Sequence, residues 1–194
     1  MIGQKNLSRK QQIELRATEL FKNKGYSATS MRDLAQVLGI EAASLYSHIK
    51  SKEEILQKIC FRIAQEFFEA KDRIENHDGT PTKRLKMAMA AHIEVITKDA
   101  DASAVFFHEW RHLSEPYISD FLQMREVYEG WFISIIEEGI RTDEFVEQNS
   151  KFTMLTILSA INWIHNWYKP EGKMSLEEIE EQLVNTLISG IKRN

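Results

Sequence analysis

Between Thr29 and Lys52 the chain reads TSMRDLAQVLGIEAASLYSHIKSK, and this stretch leaves few ways to fold. Ser30 is placed to cap a helix through its hydroxyl. Asp33 answers it three residues on as a capping box, and Met31, Leu34, Ala35 and Leu38 then repeat at helical spacing. Gly39 stops that helix, because glycine takes the left-handed conformation without steric penalty. Ile40 is suited to plug the gap between two helices, and Ala42 to Ser47 form a second helix too short to stand alone. Such a helix needs a scaffold, so the neighbouring segments are expected to pack around it.

The short helix carries Ala42, Ala43, Ser44, Tyr46 and His48, with only Leu45 and Ile49 as clear apolar anchors. A small, polar outer face of this kind suits entry into a DNA major groove, with the preceding helix crossing the backbone. Lys50 and Lys52 follow at once, and Ser51 is placed to cap the next helix, whose free N–H groups suit a phosphate. An ordinary helical hairpin within a bundle gives the same periodicity. Charge favours the first reading: residues 1–60 hold ten Lys and Arg against six Asp and Glu, a net +4, whereas residues 61–194 hold 15 against 23, a net −8. The basic charge lies where the motif lies, although the whole chain carries −4.

The rest of the chain reads as all-α. Apolar residues recur at three- and four-residue spacing almost throughout, strand-like alternation is rare, and 43 % hydrophobic content in 194 residues suffices for a real core. Helices are expected over residues 8–24, from Ser51 towards Asn76, and over Pro81 to Lys98, Ala100 to Leu113 and Pro116 to Arg141. Two more are expected from Asn149 or Ser150 to Tyr168 and from Ser175 to Lys192, giving about nine. The opening residues MIGQKNLSRKQQ lack the apolar core of a signal peptide, and no run approaches the ~18 apolar residues of a membrane span, so a cytoplasmic location without membrane contact is expected. Cys60, the single cysteine, falls on an apolar face and reads as a buried thiol.

The run ATELFKNKGYSATSMRDLAQVLGIEAASLYSHIKSKEEIL, Ala17 to Leu56, resembles the DNA-binding domain of TetR-type transcriptional repressors. The matching features are Phe21, Gly25 and Tyr26 closing the first helix, Thr29 and Ser30 opening the second, and Gly39 in the turn. Leu45 and Tyr46 in the recognition helix and Ser51, Lys52 and Glu53 opening the fourth complete them. Many members carry Ser or Thr where Glu41 sits. The resemblance implies a three-helix DNA-binding bundle over residues 1–50. An effector-binding and dimerisation domain would occupy residues 51–194, the helix from 51 serving as connector. It also implies contacts to a double-stranded, palindromic operator from Ser30, Arg32, Ala42, Ala43, Ser44, Tyr46, His48 and Lys52. The last two helices would pair two copies into a homodimer, and they carry Leu155, Ile157, Leu158, Ile161, Ile164, Leu183, Leu187 and Ile188.

The second half is rich in large aromatics, and tryptophan brings an indole N–H that wants a partner. Core packing and an apolar tunnel with a polar mouth both fit that composition. The segments FFHEWRHL, REVYEGWF and AINWIHNWYKPEG are similar to the effector domain of one TetR subgroup, whose members regulate fatty-acid, phenylacetate and sterol-ring catabolism. Acyl-CoA thioesters release those regulators from DNA. The similarity implies a small-molecule effector held by Phe107, Trp110, Arg111, Arg125, Tyr128, Trp131, Phe132, Asn162, Trp163 and Trp167. Arg111 or Arg125 would meet CoA phosphates. No catalytic residue, resident cofactor or metal is implied. One motif points elsewhere: His108-Glu109-Trp110-Arg111-His112 spells HExxH, which on a helix sets two histidines to hold zinc and a glutamate to activate water. A zinc-dependent hydrolase is therefore the alternative reading.

Overall fold

The computed structural model describes residues 7–75 and 77–193. The expected opening before Leu7 and the expected helix end at Asn76 lie outside the described residues. The protein is all-α: α1 (Arg9–Lys24), α2 (Met31–Leu38), α3 (Ala42–Tyr46), α4 (Lys52–Glu75), α5 (Pro81–Lys98), α6 (Ala100–Glu109), a 3₁₀ turn (Trp110–His112), α7 (Tyr117–Arg141), α8 (Ser150–Asn162), α9 (Ile164–Trp167) and α10 (Leu176–Ser189). The described residues contain no strand, only an isolated bridge between Phe145 and Lys192. They also contain no helix long and apolar enough to cross a membrane.

Two compact units result. Among the described residues, 7–63 and 101–121 form the first, and 64–75, 77–100 and 122–193 the second. In the first, Ile13, Ala17 and Phe21 of α1 are buried with Leu34 and Ala35 of α2, Leu45, Ile49, and Ile55, Leu56, Ile59, Cys60 and Ile63 of α4. Val105, Leu113 and Phe121 belong to the same core. The expected caps are present: Ser8 with Gln11 opens α1, Ser30 with Asp33 opens α2, and Gly39 closes α2 at φ +65°. Ser51 Oγ accepts from the Glu54 amide and so caps α4.

In the second unit α5 is the central element, meeting α8, α9 and α10. It buries Leu85, Ala88, Met89, Ile93 and Ile96, and the unit's core adds Phe132, Ile135 and Ile136 of α7 with Met154, Ile157 and Ile161 of α8. Thr80 caps α5, whose first residue is Pro81, and Ser175 with Glu178 caps α10.

Three helix ends depart from expectation. The helix expected to reach Leu113 leaves α geometry at Glu109, where the amide of Leu113 bonds the carbonyl of Trp110 and tightens the last turn. The helix expected to run unbroken to Tyr168 stops at Asn162. His165 Nδ1 takes the Asn162 carbonyl, and the Asn166 amide bonds Trp163 instead, so the side chain occupies an acceptor that the helix would need. The last helix ends at Ser189 rather than Lys192, because the chain beyond Gly190 pairs with 144–146 through Val146 N to Ile191 O and Arg193 N to Glu144 O.

The close of α7 depends on one glycine. Gly139 accepts the amides of Glu144 and Phe145, and the buried Phe145 ring lies where a side chain would stand: a Cβ at 139 would meet Phe145 Cδ2 at 2.1 Å. Gly139→Ala should therefore destabilise the protein by about 1–3 kcal/mol through overpacking, despite alanine's better helix propensity. Urea unfolding checks this, and an unchanged or raised midpoint would refute it.

Candidate functional site

The presentation of α3 follows from its two anchors. Leu45 and Ile49 are buried, which turns Ala43, Ser44 and Tyr46 to solvent and leaves Ala42 and His48 half-buried. Tyr46 is 55 % exposed, a large cost for an aromatic ring with no partner. Glu41 precedes α3 without making a side-chain cap bond. Arg32 on α2 and Lys50 are exposed as well. Small, hydroxyl-bearing and aromatic groups thus share one surface beside cations, as a DNA-reading face requires.

Two of the expected DNA residues have internal partners. The Ser30 hydroxyl accepts from the Asp33 amide at 3.1 Å and faces Asp33 Oδ2, while its own amide donates to Oδ2 at 2.7 Å. These bonds, with Lys24 Nζ on the other oxygen at 2.9 Å, hold the Asp33 carboxyl well below the usual carboxylate range. Lys52 donates to the carbonyls of Tyr26 at 2.8 Å and Thr29 at 2.9 Å, and its ammonium stands 4.2 Å from the Tyr26 ring centroid. Burial, with Glu53 adding to it, pushes the Tyr26 hydroxyl up to about 12.

The HExxH segment lies in the first unit but does not form a helical metal pair. The helix ends at Glu109, so His108 and His112 are not successive-turn neighbours on an α-helix. Instead His112 stacks on Tyr26 with centroids 5.1 Å apart and approaches Ser27 Oγ at 3.3 Å. Among the described residues no group of three or more His, Cys, Asp or Glu is arranged to hold a metal ion. The zinc reading is corrected on that geometry. Cys60 is fully buried, and burial, with Glu109 adding to it, pushes its thiol up to about 12.

The expected effector residues divide between the units. In the first, Trp110 stacks on Phe121 at 5.6 Å, Phe107 meets Phe106 edge-on, and the exposed Arg111 lies over the Trp110 ring. In the second, Tyr128, Trp131, Phe132 and Asn162 come together around a residue that the periodicity alone did not single out, His92. Its Nδ1 lies 3.0 Å from Tyr128 Oη and its Nε2 lies 2.7 Å from Asn162 Oδ1. A carbonyl oxygen only accepts, so Nε2 carries the proton and Nδ1 accepts from tyrosine. The ring also stacks on Phe67 at 4.4 Å. Burial drives the His92 pKa down to about 4, the Asn162 bond opposing it, and burial raises the Tyr128 hydroxyl. The available signal was a lone histidine on the apolar face of α5.

Arg125, Trp163 and Trp167 do not join that cluster. Arg125 is exposed and pairs with Glu129 at 2.8 Å. Trp163 and Trp167, 61 % and 45 % exposed, stand opposite the face of α8 and α9 that buries Ile161, Ile164 and His165. They lie on the surface of the second unit with Phe152 and Leu155. Of the residues expected to pair two copies, Ile157, Leu158, Ile161, Ile164 and Ile188 are buried within the chain itself, while Leu155 is exposed and Leu183 and Leu187 are half-buried.

Comparison with known proteins fits this arrangement. Residues 15–59 match the family described as "Bacterial regulatory proteins, tetR family", and residues 78–191 match "Tetracyclin repressor-like, C-terminal domain". The chain belongs to the TetR family of transcriptional regulators and is not an enzyme. It is 26 % identical over 190 residues to the HTH-type transcriptional repressor KstR2 of Mycolicibacterium smegmatis, covering 96 % of this chain and 92 % of that protein. The solved structure of the ketosteroid transcriptional regulator KstR2 of Mycobacterium tuberculosis has the same fold, with a TM-score of 0.90 at 22 % identity and full coverage of both chains. AibR, solved in complex with isovaleryl coenzyme A and operator DNA, shares the fold at a TM-score of 0.81 and 23 % identity, over 93 % of this chain and 98 % of that one.

The neutral, buried His92 ties stability to pH. The group binds a proton more readily unfolded than folded, so its contribution is complete above about pH 6.5. It is lost as pH falls towards about 4, by on the order of 3 kcal/mol. Urea midpoints across that window should fall in the wild type. His92→Gln, which keeps neutral hydrogen bonding and removes the titration, should flatten the slope; equal slopes would show that His92 is not responsible.

Proposed function

We propose that the protein is a homodimeric repressor that binds a palindromic operator and is released by a small hydrophobic effector carried as an acyl-CoA thioester. The exposed face of α3 carries the DNA half of this reading. Arg32, Ala42, Ala43, Ser44, Tyr46 and His48 supply the contacts, while Ser30 and Lys52 order the loops around them. Residues 1–50 are the reading head, and residues 51–194 serve effector binding and dimerisation. With alanines at 42 and 43, specificity rests on close backbone approach, thymine-methyl contact and DNA shape.

The dimer is proposed through the last helices, where Phe152, Leu155, Trp163 and Trp167 leave apolar area open in the single chain. A two-fold pair sets two heads one DNA turn, ~34 Å, apart. A cytoplasmic location follows from that role. The acyl group is proposed to lie with Tyr128, Trp131, Phe132 and Asn162. The fold shared with AibR, which was crystallised with an acyl-CoA and with DNA, supports the ligand class. Phe107, Trp110 and Arg111 are proposed to act in the first unit, where α6 meets the head. Arg125 remains a candidate for a CoA phosphate once it leaves Glu129.

Titration of the purified protein against DNA from its own upstream region, with and without a panel of fatty and aromatic acyl-CoA thioesters and their free acids, tests this. Specific, salt-sensitive binding abolished by one thioester and not by its acid is expected. Tyr46→Ala should weaken operator binding by about 1–3 kcal/mol. Specific binding that no thioester disturbs would leave the head and remove the effector assignment.

A further inference from the structure

The second unit holds a polar chain in an apolar setting. Tyr128 donates to His92, and His92 donates to Asn162, among the rings of Phe67 and Phe132. Against Tyr128, at 5.7 Å between centroids, lies Trp131, which is 6 % exposed. Its indole N–H is buried and meets no acceptor among the described residues. An unmet buried donor is expensive, and native interiors rarely keep one without a purpose. The His92 ring nitrogens, the Tyr128 hydroxyl and the Asn162 carbonyl oxygen are paired with one another, whereas the Trp131 indole beside them is a donor without a partner among the described residues.

The chain is also uncharged. The proton assignment leaves His92 neutral, and tyrosine, asparagine and indole carry no charge at neutral pH. The two most buried cations of the unit are committed elsewhere, Lys71 to Glu75 and Arg84 to Glu138. A carboxylate placed here would lose its hydration and gain no counter-charge, whereas a carbonyl oxygen needs only one donor.

We infer that the indole N–H of Trp131, backed by the His92, Tyr128 and Asn162 chain, is a recognition site for a neutral acceptor oxygen on the effector, a ketone or thioester carbonyl, and rejects the corresponding carboxylate. The inference rests on the proposed effector reading only in taking the occupant to be the effector; the site itself is defined by its donor. It also supplies a physical reason why a thioester would act where its free acid does not.

The test uses the full-length protein with ¹⁵N-labelled tryptophan, the Trp131 indole resonance being assigned by its loss in Trp131→Phe. Cyclohexanone should move that proton downfield. Methylenecyclohexane, of the same shape with CH₂ in place of oxygen, and cyclohexanecarboxylate should not. In parallel, operator release by the thioester panel is measured for wild type and Trp131→Phe, each against its own effector-free affinity. The variant should need about tenfold more thioester. If the ketone moves the indole and no thioester releases DNA from either protein, the acceptor site stands and the acyl-CoA reading falls. If a thioester releases both proteins equally and the ketone leaves the indole unmoved, the inference falls and the acyl-CoA reading stands. An indole response to the carboxylate as large as to the ketone would overturn the selection for a neutral oxygen, and a response to none of the three would overturn the site.

Discussion

The ammonium of Lys52 is the interaction on which the DNA-reading half depends. It sits at the first turn of α4 and reaches back to the carbonyls of Tyr26 and Thr29, with the Tyr26 ring beneath it. Charge-assisted bonds of this kind contribute about 1.5–3 kcal/mol each when partly shielded from water. They fix the loop between α1 and α2, where Ser30 then caps α2. Since α3 spans only five residues, it has no stability of its own and takes its orientation from α2 and α4. A cation expected from the sequence to contact the operator thus has its partners inside the head.

The second unit solves a different problem. Burying a histidine among aromatics costs its charged form, and the structure meets that cost by holding the ring neutral between one donor and one acceptor. The arrangement orders three side chains from α5, α7 and α8 with respect to one another. The network is neutral and its direction is fixed, from Tyr128 through His92 to the Asn162 carbonyl oxygen.

Much of this was legible in the residues, and the reasons differ by region. The head was readable because each signal is local: Ser30 with Asp33, Gly39 at positive φ and Ser51 before α4 all act within four residues of their partners. The lone cysteine and the capping pair Ser175 and Glu178 were local too. What failed was non-local. No spacing rule shows that His165 will take the Asn162 carbonyl and split a helix, or that the chain after Gly190 will pair with residues 144–146. Tyr128, Trp131 and Phe132 come together, but aromatic content could not sort Trp163 and Trp167 to the surface. Periodicity gives a face, and only the packing of α8 and α9 on α5 decides which face is inward.

The HExxH motif shows how one spelling serves two geometries. On a continuous helix it would place two imidazoles side by side; here the backbone tightens after Glu109, and His112 swings onto Tyr26 and Ser27. Those two residues belong to the loop that Lys52 holds from the other side. Lys22 meets Asp101 at the start of the same segment, and Glu53 meets Ser114 at its end. The loop before α2 is therefore contacted by Lys52 of α4 and by His112, while Lys22 and Glu53 tie the segment that carries His112 to α1 and α4. In sequence this segment lies between α5 and α7, which carry His92, Tyr128 and Trp131.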